Sequence, residues 1–176
     1  MSLRLLKEHK IDTSSGVNGF SLTDIYTSEF DVYKMIFSNC QSGGAAASME
    51  FRFITSDGMI HYDSDYAYAR RGSYSDQGAG YSKSNSASRI ASNGPVFYTQ
   101  DFLSAASILY VFKPTYKDSW TNCMSTVQYR DSDSTGHYKA VGSLKSKSLV
   151  TGFNGYLTNS SATIKKLTLR IYGIGG

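Results

Sequence analysis

The last part of the chain alternates between aliphatic and polar side chains, a pattern typical of a half-buried β-strand. Leu167, Leu169 and Ile171 are separated by single polar residues, so the three aliphatic side chains share one face of a strand. Ile164 is out of step with them, which predicts a β-bulge at residues 165–166. We expect this strand to close a sheet that earlier strands have formed.

Shorter runs of the same kind occur along the whole chain and are separated by Gly, Ser, Asn and Asp. After an N-terminal strand or arm, we predict strands at Tyr33–Cys40, Met49–Ile54, Tyr66–Arg70, Ser88–Ala91, Val96–Tyr98, Ala105–Lys113, Ser125–Arg130, His137–Leu144 and Leu149–Leu157. No window of about 12 residues keeps a helical stripe of apolar positions. The pattern predicts an all-β fold over residues 1–176, namely a single-domain antiparallel β-sandwich of jelly-roll type with roughly eight to ten strands.

Two pairs of strands have the pattern of β-hairpins. A Gly- and Ala-rich link joins the strand that begins at Tyr33 to the strand that begins at Met49, and we predict that these two strands pair. The strands on either side of residues 131–136 form the second predicted hairpin. The apolar faces of the predicted strands suggest one core, formed by Met35, Phe37, Phe51, Phe53, Ile108, Tyr110, Leu167, Leu169 and Ile171.

A Tyr-, Ser- and Gly-rich excursion at residues 62–93 holds few aliphatic residues and is too long for an idle connector. Within it, residues 72–87 are expected to form a polar loop between two strands. Tyrosine offers a large contact area at low entropic cost, and Arg is a common anchor in protein interfaces. We therefore predict a partner-binding surface, for protein or sugar, that contains Tyr62, Tyr66, Tyr68, Arg70, Arg71, Tyr74 and Tyr81. The alternative is that the tyrosines cap the edges of the sandwich.

The charge and composition of the chain argue against nucleic-acid binding, membrane insertion and secretion. The net charge is +4, and residues 134–176 contain six basic residues and no acidic one. These lysines are spread over separate strands, so the pattern favours a solvated face that docks on an acidic protein over a nucleic-acid site. No run of about 18 apolar residues could span a membrane, and the first ten residues do not resemble a signal peptide. Cys40 and Cys123 are expected to be buried thiols rather than a disulfide.

The sequence contains only poor matches to motifs that hold a metal or carry out catalysis. His61, Asp63 and Asp65 lie within five residues and would share one face of a strand, but a polar surface is the more common explanation for such a group. The sequence from Asp131 to Gly136 begins like a calcium loop and lacks the acidic residue needed at its twelfth position. We therefore predict no metal, no cofactor and no catalytic residue, and a protein that is not an enzyme.

Several short motifs resemble a family of small jelly-roll virion proteins of tailed bacteriophages, which includes head decoration or cement proteins, head fibres and tail-tip modules. The matching positions are Tyr33-Lys34, Arg52, Asp57-Gly58 and the terminal sequence from Ile171 to Ile174. Arg170-Ile171 departs from the family, in which Leu is more common in the closing strand. The resemblance extends over most of the chain and carries no catalytic residues.

The resemblance implies a structural protein of the virion that docks on capsid or tail proteins and forms a homo-oligomer, with a trimer favoured. The alternative is a carbohydrate-binding module that recognises host surface glycan through the Tyr-rich loops. No nucleic-acid or membrane partner is expected in either case.

Overall fold

The computed structural model describes residues 2–75, 78–90, 94–99, 105–130 and 135–175. In this part of the chain the fold is all-β, as predicted, and contains twelve strands. They are β1 (Ser2–Val17), β2 (Gly19–Leu22), β3 (Val32–Gly43), β4 (Ala47–Thr55), β5 (Tyr66–Tyr74), β6 (Gly78–Ala87), β7 (Val96–Phe97), β8 (Ala105–Phe112), β9 (Thr121–Arg130), β10 (Thr135–Leu144), β11 (Val150–Leu157) and β12 (Thr163–Gly175).

The strands form a single-domain sandwich of two antiparallel sheets. The larger sheet has the order β1-β12-β3-β8-β9-β10-β5-β6, and the smaller has the order β2-β11-β4-β7. Eight of these strands form a rolled ribbon, because β1 pairs with β12, β2 with β11, β3 with β8, and β4 with β7. This pairing of first with last and second with second-to-last is the winding of a jelly roll, and the structure therefore agrees with the predicted fold class.

Two hairpins widen the larger sheet beyond the jelly roll. The β9–β10 hairpin adds to β8, and the β5–β6 hairpin then adds to β10. The β9–β10 pair confirms the hairpin predicted around residues 131–136, although the turn at 131–134 lies outside the described residues. The larger sheet thus has eight strands facing a sheet of only four.

The core lies between the two sheets and confirms most of the predicted set. The side chains at 35, 37, 51, 53, 167, 169 and 171 are fully buried. Ile108 and Tyr110 are exceptions, because they lie on the solvent side of β8 and are only partly buried. Leu109 and Val111 take their place in the core. The prediction for Ile108 and Tyr110 was wrong because both faces of β8 are apolar. The two-residue alternation therefore did not indicate which face of the strand points inward.

The predicted hairpin between β3 and β4 is wrong. The strand β3 lies in the larger sheet between β12 and β8, whereas β4 lies in the smaller sheet between β11 and β7. The Gly- and Ala-rich link between them therefore crosses from one sheet to the other. Both strands bury one apolar face, and these faces meet across the core instead of lying side by side.

The predicted polar loop in the Tyr-rich excursion is also wrong, because residues 66–74 and 78–87 are the paired strands β5 and β6. In the described part of the predicted strand at 88–91, Ile90 makes a single bridge to Phe51. Gly72 and Gly80 face each other across this hairpin, where the backbones approach without side chains between them.

The closing strand behaves as its pattern predicts. The strand β12 lies between β1 and β3, and its register with β3 shifts on both sides of Lys166, as the predicted bulge requires. Cys40 and Cys123 are both buried and do not form a disulfide. In the part of the chain that the structure describes, no helix has the length and apolar character needed to cross a membrane.

Candidate docking surface

The outer face of the eight-stranded sheet, which is the face turned away from the smaller sheet, carries a continuous row of mainly apolar side chains. Directly paired residues on neighbouring strands project on the same side of a sheet. One such row crosses all eight strands through Leu5, Tyr172, Lys34, Tyr110, Met124, Val141, Ala69 and Lys83. Their neighbours along the central strands, such as Met35, Leu109 and Cys123, are buried on the opposite side.

Apolar side chains continue into the two adjacent rows of the outer face. One row passes through Leu3, Ile174, Val32, Phe112, Asn122, Ser143 and Ala67. The other passes through Glu8, Arg170, Ile36, Ile108, Thr126, Lys139, Arg71 and Tyr81. The rings of Tyr110 and Phe112 lie nearly parallel with their centroids 6.4 Å apart. The three rows together form one patch, here called the outer-face patch.

Several side chains in this patch are strongly exposed. Leu3, Leu5 and Val141 are each more than half exposed, and Met124 is 44% exposed. Seven spacings of about 4.8 Å between strands make the patch about 34 Å wide, and its three rows span about 14 Å along the strands. The resulting area of roughly 500 Å² is within the range of functional apolar patches on monomers and about two thirds of one side of a standard interface.

Positive charges lie within and beside the apolar rows. Lys34 is in the central row, and Lys83 ends that row at the sheet edge. Arg71 and Lys139 are exposed cross-strand partners in the adjacent row. Glu8 is the acidic residue of these rows, and its carboxylate binds Arg170 Nε at 2.6 Å and Lys10 Nζ at 2.7 Å. The hydrogen bonds from Lys10 and Arg170 lower the pKa of Glu8, which keeps its carboxylate ionised. The three rows hold five Lys and Arg residues against this one carboxylate, so the patch is predominantly basic.

Two of the predicted partner-binding residues lie on this surface. Arg71 and Tyr81 are directly paired on β5 and β6, and Tyr81 is 83% exposed. Tyr74 is the last residue of β5, and its side chain lies outside the described residues. The prediction therefore identified one corner of the outer-face patch and missed the strands that form its centre.

Three other predicted residues lie on the inner side of β5. Tyr66 has to be removed from the partner-binding set, because its side chain is fully buried in the core. Its hydroxyl donates to the carbonyl oxygen of His61 at 3.2 Å and accepts from the amide of Phe53 at 2.9 Å. Tyr68 packs against the same core, and the guanidinium of Arg70 lies 5.8 Å from the centroid of the Tyr138 ring.

Tyr62 lies on the opposite side of the molecule, against the outer face of the four-stranded sheet. The guanidinium of Arg52 is placed between the rings of Tyr62 and Tyr156, at 4.5 and 4.6 Å from their centroids. Arg52 Nε also donates to the carbonyl oxygen of Ser88 at 3.0 Å. Beside this stack, the buried carboxylate of Glu50 forms an ion pair with Arg89. The six predicted residues whose side chains are described therefore do not form one surface.

The structure does bring together the three residues weighed as a metal site. One ligand atom from each of His61, Asp63 and Asp65 lies within 4.8 Å of the others. His61 Nε2 and Asp65 Oδ2 are 3.4 Å apart. Asp63 is exposed and the other two residues are partly buried, which is also the arrangement of an ordinary polar surface.

Sequence reasoning missed the central residues of the patch, and a signal for them was present. The run from Ala105 to Phe112 is apolar at nearly every position, which predicts a strand with two apolar faces. Met124 and Val141 are apolar residues at positions where the alternation of β9 and β10 points outward. Only their cross-strand alignment turns these separate residues into one surface.

No protein-family model matches this chain, and no curated protein matches its sequence. Among solved structures, a fructofuranosidase variant from Schwanniomyces occidentalis complexed with fructosylnystose is similar at a TM-score of 0.27 and 4% identity, over 98% of this chain and 34% of that chain. The infectious bursal disease virus Gt strain structure is similar at a TM-score of 0.14 and 9% identity, over 97% of this chain and 42% of that one. This chain thus spans about a third of the fructofuranosidase chain. At such TM-scores these likenesses carry no conclusion about fold or function.

Proposed function

We propose that the protein is a non-enzymatic structural protein of a tailed-phage virion that docks on capsid or tail proteins through the outer-face patch. The observation that carries the docking role is the central row, in which exposed Leu5, Met124 and Val141 are aligned across the sheet. The assignment to a phage particle is supported by the motif resemblance of the sequence. In the particle the protein would act as a decoration, cement or fibre-type component.

The chemistry of the patch suits a protein partner. About three fifths of the side chains in the three rows are aliphatic or aromatic, so roughly 300 Å² of the patch is apolar. Burial of that area would contribute on the order of 7 kcal/mol before the entropic cost of association, at about 25 cal/mol per Å². Lys34, Lys139 and Arg71 would form the polar and charged part of the interface. An acidic partner surface is favoured, because these cations would repel a second basic face.

The glycan-binding alternative has less support from the positions of the tyrosines. Tyr66 and Tyr68 pack in or against the core, Tyr81 is on the larger sheet, and Tyr62 is stacked on Arg52 beside the smaller sheet. An aromatic platform for sugar needs several rings or ring edges around one cleft. These described tyrosines do not line a common cleft.

The first experiment asks whether the protein is a particle component. Particles released from the strain that encodes the protein are purified on a density gradient and analysed by quantitative mass spectrometry. The proposal expects the protein to co-purify at a fixed copy number. Hundreds of copies per particle would indicate a decoration protein, and a dozen or fewer would indicate a tail or neck component. Absence from intact particles would contradict the proposal.

The second experiment tests the patch itself. Met124→Glu places a charge in the central row, and attachment of the purified variant to particles that lack the protein should fall at least about tenfold, because an unpaired charge would be buried. Met59→Glu is the matched control, since Met59 is 64% exposed in a turn outside the outer-face patch. Equal attachment of the two variants would exclude the patch as the docking site.

A further inference from the structure

The two edges of the eight-stranded sheet are protected to different degrees. The strand β1 forms one edge, carries charges along its length and has two register breaks in its pairing with β12. Charges and irregular pairing are the usual means of preventing further strands from joining an edge. The strand β6 forms the other edge, contains neither proline nor an acidic residue, and has Lys83 as its one charged side chain.

The strand β6 also makes few contacts with the rest of the described chain. Residues 79, 80, 81, 83, 85 and 86 are exposed, so both of its faces meet solvent. From Gly78 to Lys83 it is in unbroken register with β5, and no other strand of the described residues pairs with it. A side-chain anchor comes from Lys145, whose Nζ donates to the carbonyl oxygen of Asn85 at 2.5 Å. A strand of this kind presents a regular row of backbone donors and acceptors to any strand that approaches.

We infer that β6 pairs with β6 of a second copy of this chain, in antiparallel orientation about a two-fold axis. Such pairing joins two eight-stranded sheets edge to edge and supplies both copies with the missing backbone partners. The small residues Ala79, Gly80 and Ser82 leave room for another backbone. The inference does not depend on the proposed function, because it rests on the unpaired backbone of β6, although the side chains of Tyr81 and Lys83 also belong to the outer-face patch.

A second copy fits this edge because an antiparallel strand pair can be self-complementary. The single positive charge limits the register, since a two-fold axis at residue 83 would place two lysines directly opposite each other. An axis at Tyr81 places Lys83 opposite Ala79 of the copy, and an axis at Ser82 places it opposite Tyr81 of the copy. Both registers avoid the repulsion, and the second sets an ammonium group beside an aromatic ring.

The test begins with the oligomeric state of the purified protein. Sedimentation velocity over a roughly hundredfold range of concentration should show a reversible monomer–dimer equilibrium, because association follows mass action. Tyr81→Lys adds a like charge to the pairing edge and should weaken dimerisation at least about tenfold. Val17→Lys is the control, because Val17 is an exposed apolar residue of the strand at the opposite edge and lies outside the outer-face patch, and it should leave the dimer unchanged.

Cysteine scanning then locates the axis. Single cysteine substitutions at each position from Ala79 to Ser84 are oxidised under mild conditions, and the native thiols are buried. Opposed residues near a two-fold axis come within disulfide range. The inference expects efficient cross-linking at residue 81 or 82 and weaker cross-linking away from it. Ser14→Cys, an exposed position on β1, should not cross-link.

Three outcomes would overturn the inference. The wild-type protein could remain monomeric over the whole concentration range. The dimer could resist Tyr81→Lys and dissociate with Val17→Lys, in which case the copies meet through β1. Cross-linking could also be uniform from residue 79 to 84, which would reflect collision and not a fixed two-fold pair.

Discussion

The central strand β8 of the eight-stranded sheet is apolar on both faces, but the two faces differ in what covers them. On β8, Leu109 and Val111 are fully buried against the smaller sheet, while Ile108 and Tyr110 on the other face remain partly exposed. The inner face is completed by residues of the same chain. The outer face has an apolar centre with a basic margin, and the described residues leave it open to solvent. An apolar strand face can therefore belong to the core or to a docking surface, depending on whether a second layer of the same chain packs on it.

The outer face of the four-stranded sheet is also not covered by a second layer of the described residues, but it carries polar side chains that pair with one another. There Arg52 is stacked between two tyrosines, Glu50 pairs with Arg89, and Asn154 Nδ2 donates to Ser21 Oγ at 3.0 Å. These side chains on that side are paired with one another within the chain. The outer-face patch of the larger sheet offers aliphatic and aromatic groups instead, which gain from contact with another molecule.

The largest effect is expected from truncating neighbouring residues on the two faces of β8. Leu109→Ala should lower the free energy of unfolding by about 2–5 kcal/mol, because it opens a cavity in the core. Ile108→Ala, at the adjacent outward position, should cost less than about half as much, because its side chain is already partly solvated. Urea denaturation of both variants measures the difference. Equal losses would mean that both faces are part of the folded core.

A smaller effect is expected from an isosteric exchange that adds a hydroxyl group. Val111→Thr should lower the free energy of unfolding by about 1–3 kcal/mol, because the hydroxyl would be buried without a partner. Val141→Thr should change it by less than about 0.5 kcal/mol, since that side chain is 53% exposed. Both substitutions replace one β-branched residue by another, so any change in strand propensity is similar in the two variants and does not affect the comparison. A loss at Val141 as large as that at Val111 would show that the outer face is covered in solution.

A gradual loss of stability, small for each pH unit, is expected when the pH is raised and the buried groups lose their protons. Burial raises the pKa of the Cys40 thiol from 9.0 to about 12, and burial also raises the pKa of Tyr26 and of Tyr66. The unfolded chain therefore loses the thiol proton first as the pH rises. The contribution of Cys40 is fully present below about pH 9 and should be lost at about 1.4 kcal/mol per pH unit up to about pH 12.

Urea denaturation at a series of pH values checks this expectation. Cys40→Ala should flatten the alkaline decline by about that slope. An unchanged slope in Cys40→Ala would show that this thiol does not stay protonated in the folded protein.

The features that could be predicted from the sequence are those that follow from the alternation of apolar and polar residues within one strand or hairpin. The closing strand β12, its bulge near Lys166 and the inward set of Leu167, Leu169 and Ile171 follow from the period of two, because side chains of a strand alternate whatever its neighbours are. The all-β class and the β9–β10 hairpin follow for the same reason, since that pairing is local in the chain.

The tertiary structure alone decided which faces and which distant strands meet. The pattern could not place β3 and β4 in different sheets, because two strands with apolar faces can pair side by side or pack across a core. It also could not orient β8, whose two faces are both apolar. The outer-face patch exists only because strands far apart in sequence, such as β1 with β12, β12 with β3 and β5 with β10, are aligned by long-range pairing. Register between distant strands is a property of the whole sheet, and no local pattern records it.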